Sequence, residues 1–165
     1  MNIEESVTVN IKTLNVSLTP YAFAKMSNHF YNATLEYKIK NENISLFYFY
    51  MHSVAIELAL KASILSKDSS KGKIDFVKNK IGHDLEKAMN EFSKLFDSSF
   101  LKNRDVDAIH KISPFFKEKG LEYFTLPIKY EMFTGGKNLP ELEHLRRASD
   151  KLNSFLVMND FFISN

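Results

Sequence analysis

Glu57 and Lys61 are the only charged side chains in VAIELALKASI, residues 54 to 64. Their spacing of four puts a carboxylate and an ammonium on one face of a helix, in the favourable Glu-before-Lys order. An exposed pair of this kind stabilises a helix by only roughly a few tenths of a kcal/mol. Here the flanking residues are apolar around most of the helix, so the pair should face another helix, where an unpaired charge is expensive. Tyr50 falls between the two on the same stripe. A third polar group is therefore expected beside them. His83 and Asp84, at the mouth of the next helix, are the natural suppliers.

Other residues that could do chemistry carry weaker signals. His52 lies on an alanine strip and reads as a packed core histidine, while His29 and His144 read as surface or rim positions. No H-E-x-x-H or comparable spacing gathers metal ligands, and no P-loop or G-x-G-x-x-G turn is present. Neither a metal nor a cofactor is expected. The chain has no cysteine, which removes disulfides and thiolate metal sites and makes a cytoplasmic home the simplest reading. Its 22 basic and 20 acidic residues are interspersed and leave a formal charge of +2, with no basic stripe that announces nucleic acid. The start MNIEESVTVN carries acids where a signal peptide needs a basic lead. The apolar stretch from Ile44 to Leu65 is long enough for a bilayer, but His52, Glu57 and Lys61 interrupt it, and a buried bundle helix fits better.

The elements that must position these residues follow from hydrophobic periodicity, in a chain of 165 residues that fits one domain. Residues 6–18, SVTVNIKTLNVSL, alternate with a period of two and predict an extended N-terminal β arm within 1–18. Thr19-Pro20 reads as an N-cap and first helical position. Phe23, Met26, Phe30, Ala33 and Tyr37 then give the stripe of a helix that ends at Asn41-Glu42-Asn43. A second, central helix spans about 44–66, and its small residues Ala55, Ala59 and Ala62 would admit a neighbour closely. Residues 66–73 read as a polar loop, and 74–81 as no more than a short helical turn. A third helix starts at Asp84 with the stripe Leu85, Met89, Phe92 and Phe96. A fourth starts near Asn103 and should be interrupted at Pro114. Residues 120–137 lose helical period and gain aromatics, which predicts a flap or β-hairpin over 121–133, a candidate partner for the N-terminal arm. Tyr123, Phe124, Tyr130 and Phe133 fall off any helical stripe and could form a partner-binding surface. A last helix restarts at Asn138-Leu139-Pro140, with Leu142, Leu145, Leu152 and Leu156 inward.

The segment AIELALKASIL, followed after a loop by KIGHDLEKAMNEF, resembles the HEPN superfamily, many members of which show an E-x-x-L-K helix and then a G-H-D-L helix start. The resemblance runs from Tyr21 to about Glu118, and PFFKEKGLEYF and NLPELEHL extend it. It implies a mainly α protein, an antiparallel bundle of four to five helices that commonly dimerises, with the small β arm or hairpin added here. It also implies a polar seam of Glu57, Lys61 and His83 between the second and third helices. That seam either sets helix register only or lines a pocket for a nucleotide or phosphate, with Lys61 and His83 as its cations. Catalytic HEPN ribonucleases use an arginine and a histidine four to six residues apart, a pattern that Arg104 and His110 fit. His110 would then move the proton of a 2′-hydroxyl and Arg104 would steady the phosphorane. Six positions apart on a helix, the two side chains diverge by about 120°, so convergence must come from arginine's length or from the second subunit of a homodimer. The resemblance therefore implies a dimeric binding or interaction module in RNA or nucleotide biology, of toxin–antitoxin or phage-defence type, with a cognate antitoxin or other protein partner. Its alternatives are a metal-independent RNA endonuclease and a structural subunit without ligand.

Overall fold

The computed structural model describes residues 19–36, 46–123, 127, 130, 131, 134 and 137–162. Helix α1 covers Pro20–Glu36, α2 Leu46–Lys67, α3 Lys71–Phe76, α4 Leu85–Leu95, α5 Asn103–Lys117, α6 Gly120–Tyr123 and α7 Leu142–Met158. A π-helical turn, Val77–Ile81, follows α3 directly. The molecule is mainly helical, a helical bundle, and no strand occurs among the described residues. No helix among them is long and apolar enough to cross a membrane.

Helix α2 is the axis. Sixteen of its 22 residues are buried, and it packs against α1, α4, α5 and α7. Its interior serines satisfy themselves locally, Ser53 donating to the Phe49 carbonyl at 2.6 Å and Ser63 to that of Ala59 at 2.9 Å. Small residues let α1 come close. The Ser27 hydroxyl reaches the Ala55 carbonyl at 2.8 Å, and Ala55, Ala59 and Ala62 are all buried. This close approach moves the buried face of α1 from the expected large residues to Ala24, Ser27 and Thr34, while Met26 is exposed and Phe23 and Phe30 are half-buried. Thr19 caps the helix, its hydroxyl accepting from the Ala22 amide at 3.1 Å.

Side-chain contacts fix the direction of each helix. Ser27 meets Ala55 while Phe23, one turn earlier, lies with Lys61 and Leu65, so α1 runs against α2. Glu57 meets His83 just before α4, and Lys67 lies over the Phe96 ring just after it. Helices α2 and α4 are therefore parallel, because α3 and the π turn carry the chain back along α2. Ser113 and Lys117 meet the start of α4, so α5 runs against it. Arg147 reaches Asp105 while Phe155 stacks on Phe100, so α7 runs against α5. An antiparallel bundle thus describes neighbours α1–α2, α4–α5 and α5–α7, while the α2–α4 and α2–α7 pairs run parallel. Phe92, Phe96, Phe100 and Phe155 close one end of the core, with ring centroids 5.0 to 6.2 Å apart.

Several expectations change. The polar loop ends early, because Ser70 caps α3, its side chain accepting from the Lys73 amide at 3.4 Å. Pro114 does not end α5, which runs on to Lys117; the ring removes one donor only, and the Glu118 amide still reaches the Pro114 carbonyl at 3.1 Å. No strand of the expected hairpin over 121–133 is seen among the described residues. Leu121 to Tyr123 belong to α6, and Pro127, Tyr130 and Glu131 are also helical. Lys119, at φ 55°, turns the chain, and α6 restarts directly after it, so aromatic content masked a one-turn helix as strand. Glu131 is buried and accepts from both the backbone and side-chain nitrogens of Asn138, which tethers the segment to the approach to α7. The expected arm at 6–18, with Phe124 and Phe133, lies outside the described residues.

Candidate functional site

Gly82 sets the geometry of the candidate site. It closes the π turn with a bond from its amide to the Val77 carbonyl at 3.1 Å, and adopts φ 56° and ψ −125°. A side chain rarely tolerates this conformation, so glycine is the residue that can turn the chain here. The turn delivers His83 onto α2. Its Nδ1 lies 3.0 Å from Glu57 Oε1, and the same oxygen takes the Lys61 ammonium at 2.6 Å. Two segments 22 or more residues apart thus meet at one carboxylate oxygen. Glu57 is only 4% exposed and Lys61 is also buried, whereas the His83 side chain is 55% exposed.

The chemistry of this trio follows from donor counting. A carboxylate only accepts, and the Nδ1 edge of the His83 ring is the one that faces it. Lys61 has three N–H donors and spends one on Glu57. Tyr50 stands on the same stripe, its ring 6.3 Å from Phe116, which His83 meets edge-on at 6.0 Å. Burial, then the carboxylates of Glu122 and Glu57, raises the Tyr50 phenol above its ordinary value.

Asp84 lies beside this trio rather than in it. Its carboxylate caps α4 through the Lys87 amide at 3.1 Å and holds Lys117 of α5 at 3.0 Å, with the Ser113 hydroxyl at 3.4 Å. Burial pushes the Asp84 carboxyl up, but the Lys87 amide and Lys117 outweigh it and hold it below the usual carboxylate range. These bonds tie α4 to α5.

A cleft of about 500 Å³ opens beside the trio, between α1, α2, α3 and the π turn. Phe23, Leu65, Ile74 and Val77 form its apolar wall, and Lys61, Lys78 and His83 its polar edge. Volume and lining match a site for a small organic molecule, mostly apolar with a few convergent polar groups.

Arg104 and His110 are not brought together within the chain. Arg104 is exposed in a separate hollow of about 300 Å³ with Asp107, Lys111, Glu141 and His144. His110 does not line that hollow, and its Nε2 is buried with no hydrogen-bond partner. Behind the hollow lies a cluster that the periodicity of the sequence did not signal. Asp105, 0% exposed, accepts from Arg147 Nε at 2.7 Å and from the Lys102 amide at 3.1 Å. Burial pushes the Asp105 carboxyl up, but the bonds from Arg147 and Lys102 outweigh it and hold it below the usual range. Arg147 Nη2 also reaches His144 Nδ1 at 3.2 Å, and His144 Nε2 faces Glu141 at 3.1 Å. Guanidinium only donates, so Nδ1 of His144 is the acceptor and Nε2 holds the proton. The one local hint was an aspartate in the first turn of α5, where a carboxylate suits the helix start.

His52 is a core histidine as expected, 1% exposed and stacked on Tyr48, with burial and then Arg146 pushing it down to about 4. Among the described residues no group of three or more His, Cys, Asp or Glu side chains gathers around a possible metal position. In comparison with known proteins, no family model, no curated protein and no solved structure matches this chain.

Proposed function

We propose that this chain is a HEPN-like binding module, cytoplasmic and homodimeric, that serves RNA or nucleotide biology through the cleft beside Glu57, Lys61 and His83. One observation carries the reading: the E-x-x-L-K and G-H-D-L segments converge through Glu57 Oε1 at the edge of an open, mostly apolar cleft. A seam that served register alone would have no need of a half-exposed histidine and a lysine at a cleft mouth. A ligand that binds only the folded state raises its stability by mass action. Thermal denaturation of the wild type with added nucleotides or short RNA should therefore show a higher Tm, and Lys61→Met should abolish the rise. A wild type indifferent to every nucleotide and RNA would reduce the trio to a structural seam. Light scattering checks the oligomer: the 19.1 kDa mass at all concentrations would reject the homodimer.

A further inference from the structure

We infer that the cleft takes a phosphomonoester on an aromatic or apolar body, with a single anionic head against Lys61 and His83 and the ring against Phe23. This deepens the proposed function and rests on it, since it names the ligand class of the same cleft. Charge counting limits the head. Glu57 is bonded to Lys61 and so cancels one of the two lysines at the edge, which leaves Lys78 as the second cation, with the His83 ring between them and solvent. A triphosphate would bring charge for which the described lining has no partners, and desolvating unpaired charge is unfavourable. A single phosphate is matched instead. Lys61 keeps two free N–H donors for its oxygens, and charge-assisted bonds of this kind are the strong ones.

Hydrogen-bonding capacity limits the body. Phe23, Leu65, Ile74 and Val77 have no polar side-chain atom, so the described wall cannot read the edge of a base. It can stack or pack against any flat or apolar group, and such walls discriminate weakly. The cleft should therefore accept adenine, uracil and a plain phenyl ring alike, with the phosphate as the recognised feature.

Isothermal titration calorimetry of the full chain with phenyl phosphate, AMP, UMP, ATP and inorganic phosphate tests this. The first three should bind within about tenfold of one another, as expected for an apolar wall. ATP should bind no more tightly than AMP, and inorganic phosphate at least about tenfold more weakly, because it buries no ring. Phe23→Ala should weaken phenyl phosphate and both mononucleotides together and leave inorganic phosphate unchanged. Lys61→Met should weaken all phosphates by more than about tenfold. Lys78→Glu, on an exposed residue, should weaken them too and serves if Lys61→Met does not fold. A preference of more than about a hundredfold for one base, or ATP tighter than AMP by more than about tenfold, overturns the inference and leaves the cleft as a ligand site. No binding of any of the five, with RNA also without effect on Tm, overturns the inference and the proposed function together.

Discussion

Two buried carboxylates in this bundle are built to opposite ends. Asp105 is closed: fully buried, one oxygen on Arg147 of α7 and the other on the Lys102 amide at the head of α5. Glu57 is open: it is nearly as buried, but a single oxygen meets both Lys61 and His83, and those two line a cleft, Lys61 with donors to spare. The first arrangement ties two helices together. The second keeps a lysine and a histidine at the edge of a cleft. Burial by itself therefore does not mark a functional carboxylate; partners that line a cleft do.

Breaking the closed pair should have the largest effect. Arg147→Met strands the buried Asp105 without its charge partner and should lower stability more than any change at Glu57 or Lys61. A loss below about 1 kcal/mol in chemical denaturation would place Asp105 in contact with water, at the level of a surface pair.

His52 sharpens the contrast as a buried group that stays uncharged. Its folded pKa of about 4 lies below the ordinary 6.5, so the unfolded chain binds its proton first as the pH falls. The stability it contributes is full above pH 6.5 and is lost between 6.5 and about 4, about 3 kcal/mol in all. Asp105 acts at lower pH, because a depressed carboxyl loses its contribution only as the pH falls through its folded value. His52→Phe should flatten the upper limb of an acid-unfolding curve and leave the lower one. An unchanged slope between pH 6.5 and 4 would show that His52 charges in the folded state.

The open pair should be more forgiving. Glu57→Leu should lower stability by about 1–3 kcal/mol, and the double variant with Lys61→Met should regain part of it, since neither charge is then left unpaired. A double variant worse than Glu57→Leu alone would class Glu57 with Asp105. Smallest of all, Lys61→Met should leave the free protein within about 1 kcal/mol of wild type, because Glu57 keeps His83 beside it at the edge of the cleft. A marked destabilisation would mean that Lys61 holds the fold, as Arg147 does.

How far these sites could be read from the chain depends on the distance over which each is specified. The Glu57–Lys61 pair is four residues long, and a helix dictates it. Asp84 as N-cap of α4 is equally local. His83 beside Glu57 is a contact that helical period could suggest but not place. Arg147–Asp105, 42 residues apart, and Lys117–Asp84, 33 apart, have no periodic signature, since any basic residue on a facing helix would read the same. Aromatic-rich residues near 121 misled for a related reason. Four helical residues hold too little periodicity to compete with their composition.

The sequence by itself determined that the chain is mainly helical, that α2 is central and that one polar stripe runs along it, because side-chain period and burial are properties of single helices. Only the tertiary structure decided that α2 and α4 lie parallel, that Ala24, Ser27 and Thr34 are the buried residues of α1 while Met26 is exposed, and which carboxylate is closed and which is open. Those outcomes depend on how helices approach one another. The approach is set by the volumes of residues meeting across the interface and by the backbone turn at Gly82, and neither is written in any one helix.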